Sequence, residues 1–454
     1  MSLPSYPEYK DSGVEWLGSV PAHWEVGALR RRAALNPSKA EVRAVETEKF
    51  VSFLPMEAVG ERGDLDLSRT RQVSEVLAGY TYFREGDIAF AKITPCFENG
   101  KGARMVGLCG GVGFGTTELT VVRPDPDLLD GHYLDWVLRS GPFRKRGEAA
   151  MYGAGGQKRV PDEFVRDFVI GWPDIKEQSL IAKFLDRETG RIDALIAEQE
   201  KLLALLAEKR QATISHAVTR GLDPNVPMKD SGIAWLGEVP AHWVVKRCGR
   251  FISILSGFAF PSTGFDHGGN GTRLLRGVNV AVGSLRWDDV VYWKRSRGDG
   301  FHDYELKIDD LVIGMDRPLI AAGMRVAKVK EEDVPCLLLQ RVALLRTSIE
   351  LVSDFLMHYL STAMFVAHFS PETTGVGVPH ISPDQIASFT IAVPPVSEQR
   401  EIVEYLRREL ALLEELGEQG KRAIDLLKER RSALISAAVT GQIDVRGLVE
   451  MEAA

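Results

Sequence analysis

KDSGVEWLGSVPAHW occupies residues 10–24, and KDSGIAWLGEVPAHW occupies residues 229–243. The two copies start at Lys10 and Lys229, 219 residues apart. A second repeated pair follows. EQSLIAKFLDRETGRIDALIAEQEKLLALLAEKRQATISHAVT begins at Glu177, and EQREIVEYLRRELALLEELGEQGKRAIDLLKERRSALISAAVT begins at Glu398. These align without a gap at an offset of 221. A period above 200 residues rules out a solenoid of short repeats and implies two whole-domain copies. Between the repeated signposts lie 25–172 and 244–395, which barely resemble each other. The chain therefore reads signpost, divergent domain, long segment, and then the same again.

The long segments read as helices. Trp172-Pro173 precedes the first and Pro394-Pro395 the second, where Ser397 is a candidate N-cap. Apolar residues recur at helical spacing as Ile181, Leu185, Ile192, Leu195, Leu202, Leu206, Ile214 and Ala217. The second copy has Ile402, Leu406, Leu413, Leu416, Ile424, Leu427, Ile435 and Ala438. This heptad-like seam predicts packing against another helix. Gly221 and Gly441 stand where helix-stopping glycines stand, and Gly417 and Gly420 interrupt the second apolar seam and predict a bend there. The first helix runs directly into the second signpost, whereas no third signpost follows the second helix. The first signpost can fill that place, which gives a near two-fold axis and antiparallel helices.

The divergent domains read as α+β. In the first, 86–93 and 116–124 are strand-like and a helix candidate starts at His132. In the second, 309–316 and 336–346 are strand-like and 355–369 is helical. A Gly-rich loop precedes each long helix. The expected fold class is α+β, with two pseudo-symmetric recognition domains joined by two long antiparallel, coiled-coil-like helices. The expected boundaries are 1–24 (conserved segment), 25–173 (first domain), 174–221 (first helix), 222–243 (repeated segment), 244–395 (second domain), 396–441 (second helix) and 442–454 (tail).

Composition is that of an ordinary globular protein, and no apolar run reaches membrane-spanning length or forms an N-terminal signal core. A cytoplasmic protein with no membrane partner is expected. Cys96, Cys109, Cys248 and Cys336 lie far apart, which argues for buried free thiols and against a zinc site or disulfide framework. The net charge of -7 is unlike that of a nucleic-acid binder, but phosphates respond to local clusters. Such clusters occur at Arg30-Arg31-Arg32, Arg144-Lys145-Arg146, Lys158-Arg159 and Lys294-Arg295; each also fits an ordinary solvated face.

Nearly the whole chain resembles the DNA-specificity subunit of type I restriction–modification enzymes. The resemblance rests on KDSG-x-x-WLG-x-VP-x-HW, on P-x-x-x-EQ opening a long helix, on IS-x-AVT closing it, and on the two-copy order. It implies two target-recognition domains that each read one half of a split, asymmetric double-stranded DNA sequence. It also implies helices that set the gap and dock two methyltransferase (modification) subunits, with restriction subunits joining that core. S-adenosylmethionine, ATP and Mg then belong to the partner subunits, and this chain needs no cofactor and catalyses nothing itself.

The residues agree with a non-catalytic role. Gly100-Lys101 lacks the upstream glycine of a phosphate cradle, and no G-x-G-x-x-G opens a helix after a strand. No H-E-x-x-H and no Asn/Asp-Pro-Pro-aromatic run occurs. The alternative readings are a helical scaffold without DNA reading and a stand-alone enzyme; two different domains on near-identical supports argue against the scaffold.

Base edges are read by Arg, Lys, Asn, Gln, Ser and Thr, and phosphates by Lys, Arg and backbone amides. In the first domain the candidates beside Gly-rich turns are Lys92, Thr94, Asn99, Lys101, Arg104, Gln157, Lys158 and Arg159. In the second they are Arg273, Arg276, Asn279, Arg317, Arg325, Gln340 and Arg341. The loop 373–380 takes the place of the first domain's loop 153–159 but lacks its Gln-Lys-Arg, which suggests a positioning role. Ordinary hairpin turns with solvated tips remain the alternative for all of them, and an ion pair for Arg341.

Overall fold

The computed structural model describes residues 3–44, 48–154, 156–320, 323–369 and 380–450. Two compact units emerge, one built from Met1–Glu200 with Arg422–Ala454, the other from Lys201–Lys421. Each unit thus contains one signpost, one recognition domain, the opening part of one long helix and the closing part of the other.

The long helices span Ile175–Arg220 (46 residues) and Val396–Val439 (44 residues). The second helix is continuous through Gly417 and Gly420, because a glycine lowers helix stability by only about 1 kcal/mol and the packed neighbours outweigh that. In the first unit Arg431 of the second long helix meets Asp193 of the first (3.0 Å), and Arg187, earlier in the first, donates to the Leu448 carbonyl past the end of the second (3.2 Å), so the two run antiparallel. In the second unit Ala217 and Gly221 line one cavity with Tyr405, and Ala207 and Ile214 line another with Leu410, again in opposite directions. The seam is only partly buried. Leu195, Leu202 and Leu416 are exposed, and Ile196 is buried in place of Leu195. A period of 3.6 drifts against a strict heptad, so the buried stripe moves to the neighbouring residue along the helix.

The ends of the helices explain the signposts. In the second unit Glu398, at the start of a long helix, accepts from Trp243 Nε1 (3.0 Å) and pairs with His242 (2.7 Å). In the first unit Glu177 accepts from Trp24 Nε1 (3.2 Å) and Tyr6 (2.6 Å) and pairs with His23 (2.8 Å). The next residue is also reused. Gln178 ties the amide of Asp130 and the carbonyls of Leu128 and Pro173; Gln399 ties Val352, Glu350 and Pro394. The EQ dipeptide therefore fastens signpost, domain and helix together.

The first signpost does occupy the place after the second helix. Tyr9 donates to the Gly441 carbonyl, Gln442 to the Ser19 carbonyl, and the Asp444 amide to the Pro4 carbonyl. Gly441 has φ +77°, and a Cβ there would lie 2.3 Å from Pro21. Its counterpart Gly221 has φ +75° against Trp243. Only glycine both ends the helix in the left-handed region and admits the signpost so closely.

The domains, so different in sequence, share the order of their central sheet. In the first, an antiparallel sheet runs Ala33–Leu35, Leu119–Pro124, Ile88–Ala91, Gly102–Arg104. In the second, the same order is Ile252–Ser256, Val342–Thr347, Leu311–Gly314, Val326–Lys328. Each second sheet is also built around a parallel pair, Phe50–Leu54 with Val112–Gly115 in a four-stranded sheet and Thr272–Leu275 with Cys336–Leu338 in a three-stranded one. The run 336–346, expected as one strand, is two strands in different sheets, because Arg341 turns the chain at φ +70°. The helix expected from His132 is likewise two, Gly131–Arg139 and Gly141–Ala150, broken where Ser140 adopts an extended ψ of 150° ahead of Pro142. The stretch 355–369 also falls into two helices, Ser353–Leu360 and Ala363–Phe369.

Candidate nucleic-acid interface

A buried ion pair anchors each central sheet. Arg123 forms two bonds to Asp87 (2.7 and 2.8 Å), and Arg346 forms two to Asp310 (2.9 and 3.0 Å). Both carboxylates are nearly inaccessible, and each also accepts a backbone amide three residues upstream, from Arg84 or Lys307. The sequence does carry a signal for this pair: GDIAF and DDLVI, then TVVRP and ALLRT, recur at one offset.

From this frame the two domains reach corresponding points by the same backbone bonds. In the first domain, Lys92 N donates to Glu118 O and Val160 N to Lys92 O, with Ile93 bridged to Arg159. In the second, Met315 N donates to Arg341 O and Ile381 N to Met315 O, with Asp316 bridged to His380. Three segments meet at each junction: the end of the central strand, the turn leading into its neighbour, and the end of the loop before the final short helix. Corresponding residues are Lys92 and Met315, Ile93 and Asp316, Glu118 and Arg341, Arg159 and His380.

The charges at the junction are rearranged between the domains. In the first, Arg159 on the loop grips Glu118 on the turn through two bonds (2.9 and 2.8 Å). The guanidinium holds the Glu118 carboxyl below its ordinary range. In the second, the carboxylate sits on the strand end: Asp316 meets His380 (2.8 Å) and, more loosely, Arg341 (3.4 Å).

The sequence candidates separate into two groups. Lys92, Thr94, Gln157, Lys158 and Arg159 are brought together at the first junction. Thr94 clasps the loop, donating to Gly156 O (2.6 Å) and accepting from Lys158 N (3.1 Å). Arg317, Gln340 and Arg341 gather at the second junction, where Arg317 and Gln340 are exposed. Others serve the fold. Lys101 donates to Met56 O (3.0 Å). Arg273 donates to Glu332 O and lies over Trp287, Arg276 is bound to Asp289, and Arg325 ties Val280 O to Asp316 O. Asn279 is buried, and its amide bonds Arg276 N, Arg286 O and Asp289 O, which leaves nothing for a base. Asn99 is exposed, and Arg104 is half-buried at the sheet's edge. In the second loop 373–379 lies outside the described residues, as does residue 155 in the first.

The basic runs are also mostly structural. Arg144 is buried against Phe90 and Phe97 and donates to the carbonyls of Phe97 and Gly100, which shapes the turn carrying Asn99. Arg146 lies over Trp16, Arg30 meets Asp167, and Arg295 is paired with Asp299 and Glu305. Of the four thiols, Cys248 and Cys336 are buried as expected, but Cys96 is only half-buried and Cys109 is exposed and donates to Phe50 O. Among the described residues no group of three or more His, Cys, Asp or Glu is placed to hold a metal ion, and no helix is long and apolar enough to cross a membrane.

Comparison with known proteins agrees with this architecture. The family described as type I restriction modification DNA specificity domain matches residues 286–423. The chain is 31% identical over 460 residues to the Escherichia coli EcoAI specificity subunit, covering 85% of this chain and 77% of that one. It is 25% identical to the MjaVIII specificity subunit of Methanocaldococcus jannaschii over 322 residues, 71% of this chain and 72% of that one. The fold is similar to a chain from a solved type I R-M system (TM-score 0.74, 16% identity, 92% of this chain and 98% of that one). It is also similar to the HsdS subunit from Thermoanaerobacter tengcongensis (TM-score 0.58, 18% identity, 93% and 98% covered).

Proposed function

The chain belongs to the family of type I restriction enzyme specificity subunits, and from that premise we propose that its two recognition domains each read one half of a split, asymmetric DNA target. The observation that carries this reading is the pair of junctions. A common frame, held by the same buried ion pair, presents different side chains at corresponding points. A shared frame makes the approach to DNA common to both domains, while divergent polar side chains make the base preference different. A scaffold has no use for that divergence.

The long helices act as the spacer between half-sites. At about 1.5 Å per residue a 46-residue helix spans roughly 69 Å, and inserting or deleting turns changes the distance between reading surfaces. Their exposed apolar residues, Leu195, Leu202, Leu416 and Leu426 among them, suit docking of modification subunits. The chain itself performs no chemistry; S-adenosylmethionine, ATP and Mg serve the modification and restriction subunits.

The test is co-expression with candidate modification subunits, followed by mapping of methylated bases across the host genome. A bipartite motif is expected, with one half changing when residues 25–173 are exchanged and the other when residues 244–395 are exchanged. A stable complex that methylates without a bipartite preference would sink the reading.

A further inference from the structure

We propose that Tyr152 is a specificity-determining residue of the first domain, its ring entering the DNA groove at one half-site. This rests on the reading of the domains as DNA readers and goes beyond it by naming the group that makes one of them selective.

Tyr152 is 68% exposed, more than any other large apolar side chain described in its unit. Such exposure at a mobile tip would mean little, but here the backbone is held. Tyr152 N donates to Arg159 O (3.2 Å) and Arg159 N returns a bond to Tyr152 O (2.9 Å). Gly153 follows at φ +141°, where a Cβ would lie 2.5 Å from the Gln157 carbonyl, so the turn admits only glycine. Arg159 is bridged on its other side to Ile93, through Thr94 N to Lys158 O (3.0 Å) and Val160 N to Lys92 O (2.9 Å). The result is a narrow three-segment ribbon rooted on the central sheet.

Directly opposed residues on such a ribbon point to the same face. Tyr152 therefore shares a face with Arg159, whose guanidinium is fixed by Glu118. Lys92 and Lys158, one position away on their segments, point to the other face. Among the described residues the phenol makes no hydrogen bond and stacks on no ring, so its placement adds almost nothing to the fold.

A duplex supplies what the chain does not. The major groove, about 12 Å wide, admits a two-stranded ribbon. Its floor offers thymine methyls and base edges to an aromatic ring with a hydroxyl. Arg159 is a positioning residue here, because Glu118 holds its Nε and one terminal nitrogen and so fixes the guanidinium. In the second domain's sequence no aromatic residue occurs from Ser370 to Pro379, so the effect is expected at one half-site alone.

The experiment uses the full chain in complex with its modification subunits and three duplexes: the mapped target, and the same target with either half scrambled. Tyr152→Ala is expected to lower affinity for the intact target about tenfold or more and to abolish discrimination against one scrambled half. Discrimination against the other half and the unfolding temperature stay as in the wild type. Tyr152→Phe is expected to keep most of the affinity, since the ring is retained. If Tyr152→Ala discriminates both halves as the wild type does, the proposal is overturned and the reading of the domains stands. If the wild-type complex itself discriminates neither half, that reading fails and the role of Tyr152 falls with it.

Discussion

The two recognition domains place an arginine–aspartate pair at the same point of the same sheet, yet the neighbouring junctions exchange their charges. Arg123–Asp87 and Arg346–Asp310 are nearly superimposable in their bonding. A few residues away, a carboxylate on the turn (Glu118) faces a cation on the loop, whereas the second domain has a cation on the turn (Arg341) and a carboxylate on the strand. Buried charge tolerates little change, because an unpaired partner left in a dry interior is strongly unfavourable. Exposed charge tolerates exchange, because water screens it. Frame and reading surface can therefore diverge at different rates within one fold.

The largest expected effect tests the shared frame. Asp87→Ala and Asp310→Ala should each cost about 3 kcal/mol, since each removes two charge-assisted bonds from a buried carboxylate while Arg123 keeps Glu41 and Arg346 keeps the Glu305 carbonyl. Urea unfolding of the two variants checks this, and a domain that tolerates its substitution would break the equivalence. The signpost anchors should differ somewhat more. Glu177 holds Tyr6, His23 and Trp24, whereas Glu398 holds only His242 and Trp243 among the described residues. Glu177→Ala should destabilise by about 2–3 kcal/mol and Glu398→Ala by about 1 kcal/mol less, as seen in thermal unfolding.

A pH difference should separate the units next. Six residues after the helix N-cap stand Trp136 in the first domain and His358 in the second. Burial pushes the His358 imidazole from 6.5 down to about 4, with Arg210 adding to the shift and Asp354 opposing it. The unfolded chain then binds a proton that the folded chain refuses. Its contribution to stability is complete above pH 6.5 and is lost as pH falls through the window down to about 4. His358→Phe should flatten that acid-side loss for the second unit, measured by unfolding at pH 7 and pH 5.

The smallest effect on stability is expected at the junctions themselves. Arg341→Ala removes a 3.4 Å contact of a side chain that is 61% exposed and should change stability by no more than about 0.5 kcal/mol. Glu118→Gln should also leave stability almost unchanged. Both should nevertheless alter half-site preference in methylation mapping, each at its own half. A change in stability without a change in preference would reassign the junctions to the frame.

Much of this architecture was legible in the residues. Two signposts and two long segments at nearly one offset dictated a duplicated α+β chain with paired helices, and the vacancy after the second helix pointed to the docking of the first signpost. Periodicity did not locate every buried seam residue, since Leu195 and Ile196 differ by one position on a slowly rotating stripe. The structure brings several of the candidate residues together. Lys92 and Lys158 stand at a junction, but Asn279, read as a base contact, spends its amide inside its own turn. Tyr152 was missed because a lone aromatic beside glycines carries no signal until its exposure is known.

The sequence by itself determined the repeat, the helices and the family, because those depend on spacing along the chain and survive any detail of packing. Only the tertiary structure decided that two dissimilar stretches share one sheet order, and which polar side chains are consumed inside the fold. Those outcomes depend on which segments meet in space, and hydrogen bonds such as Lys92 to Glu118 or Met315 to Arg341 join residues that no local pattern connects.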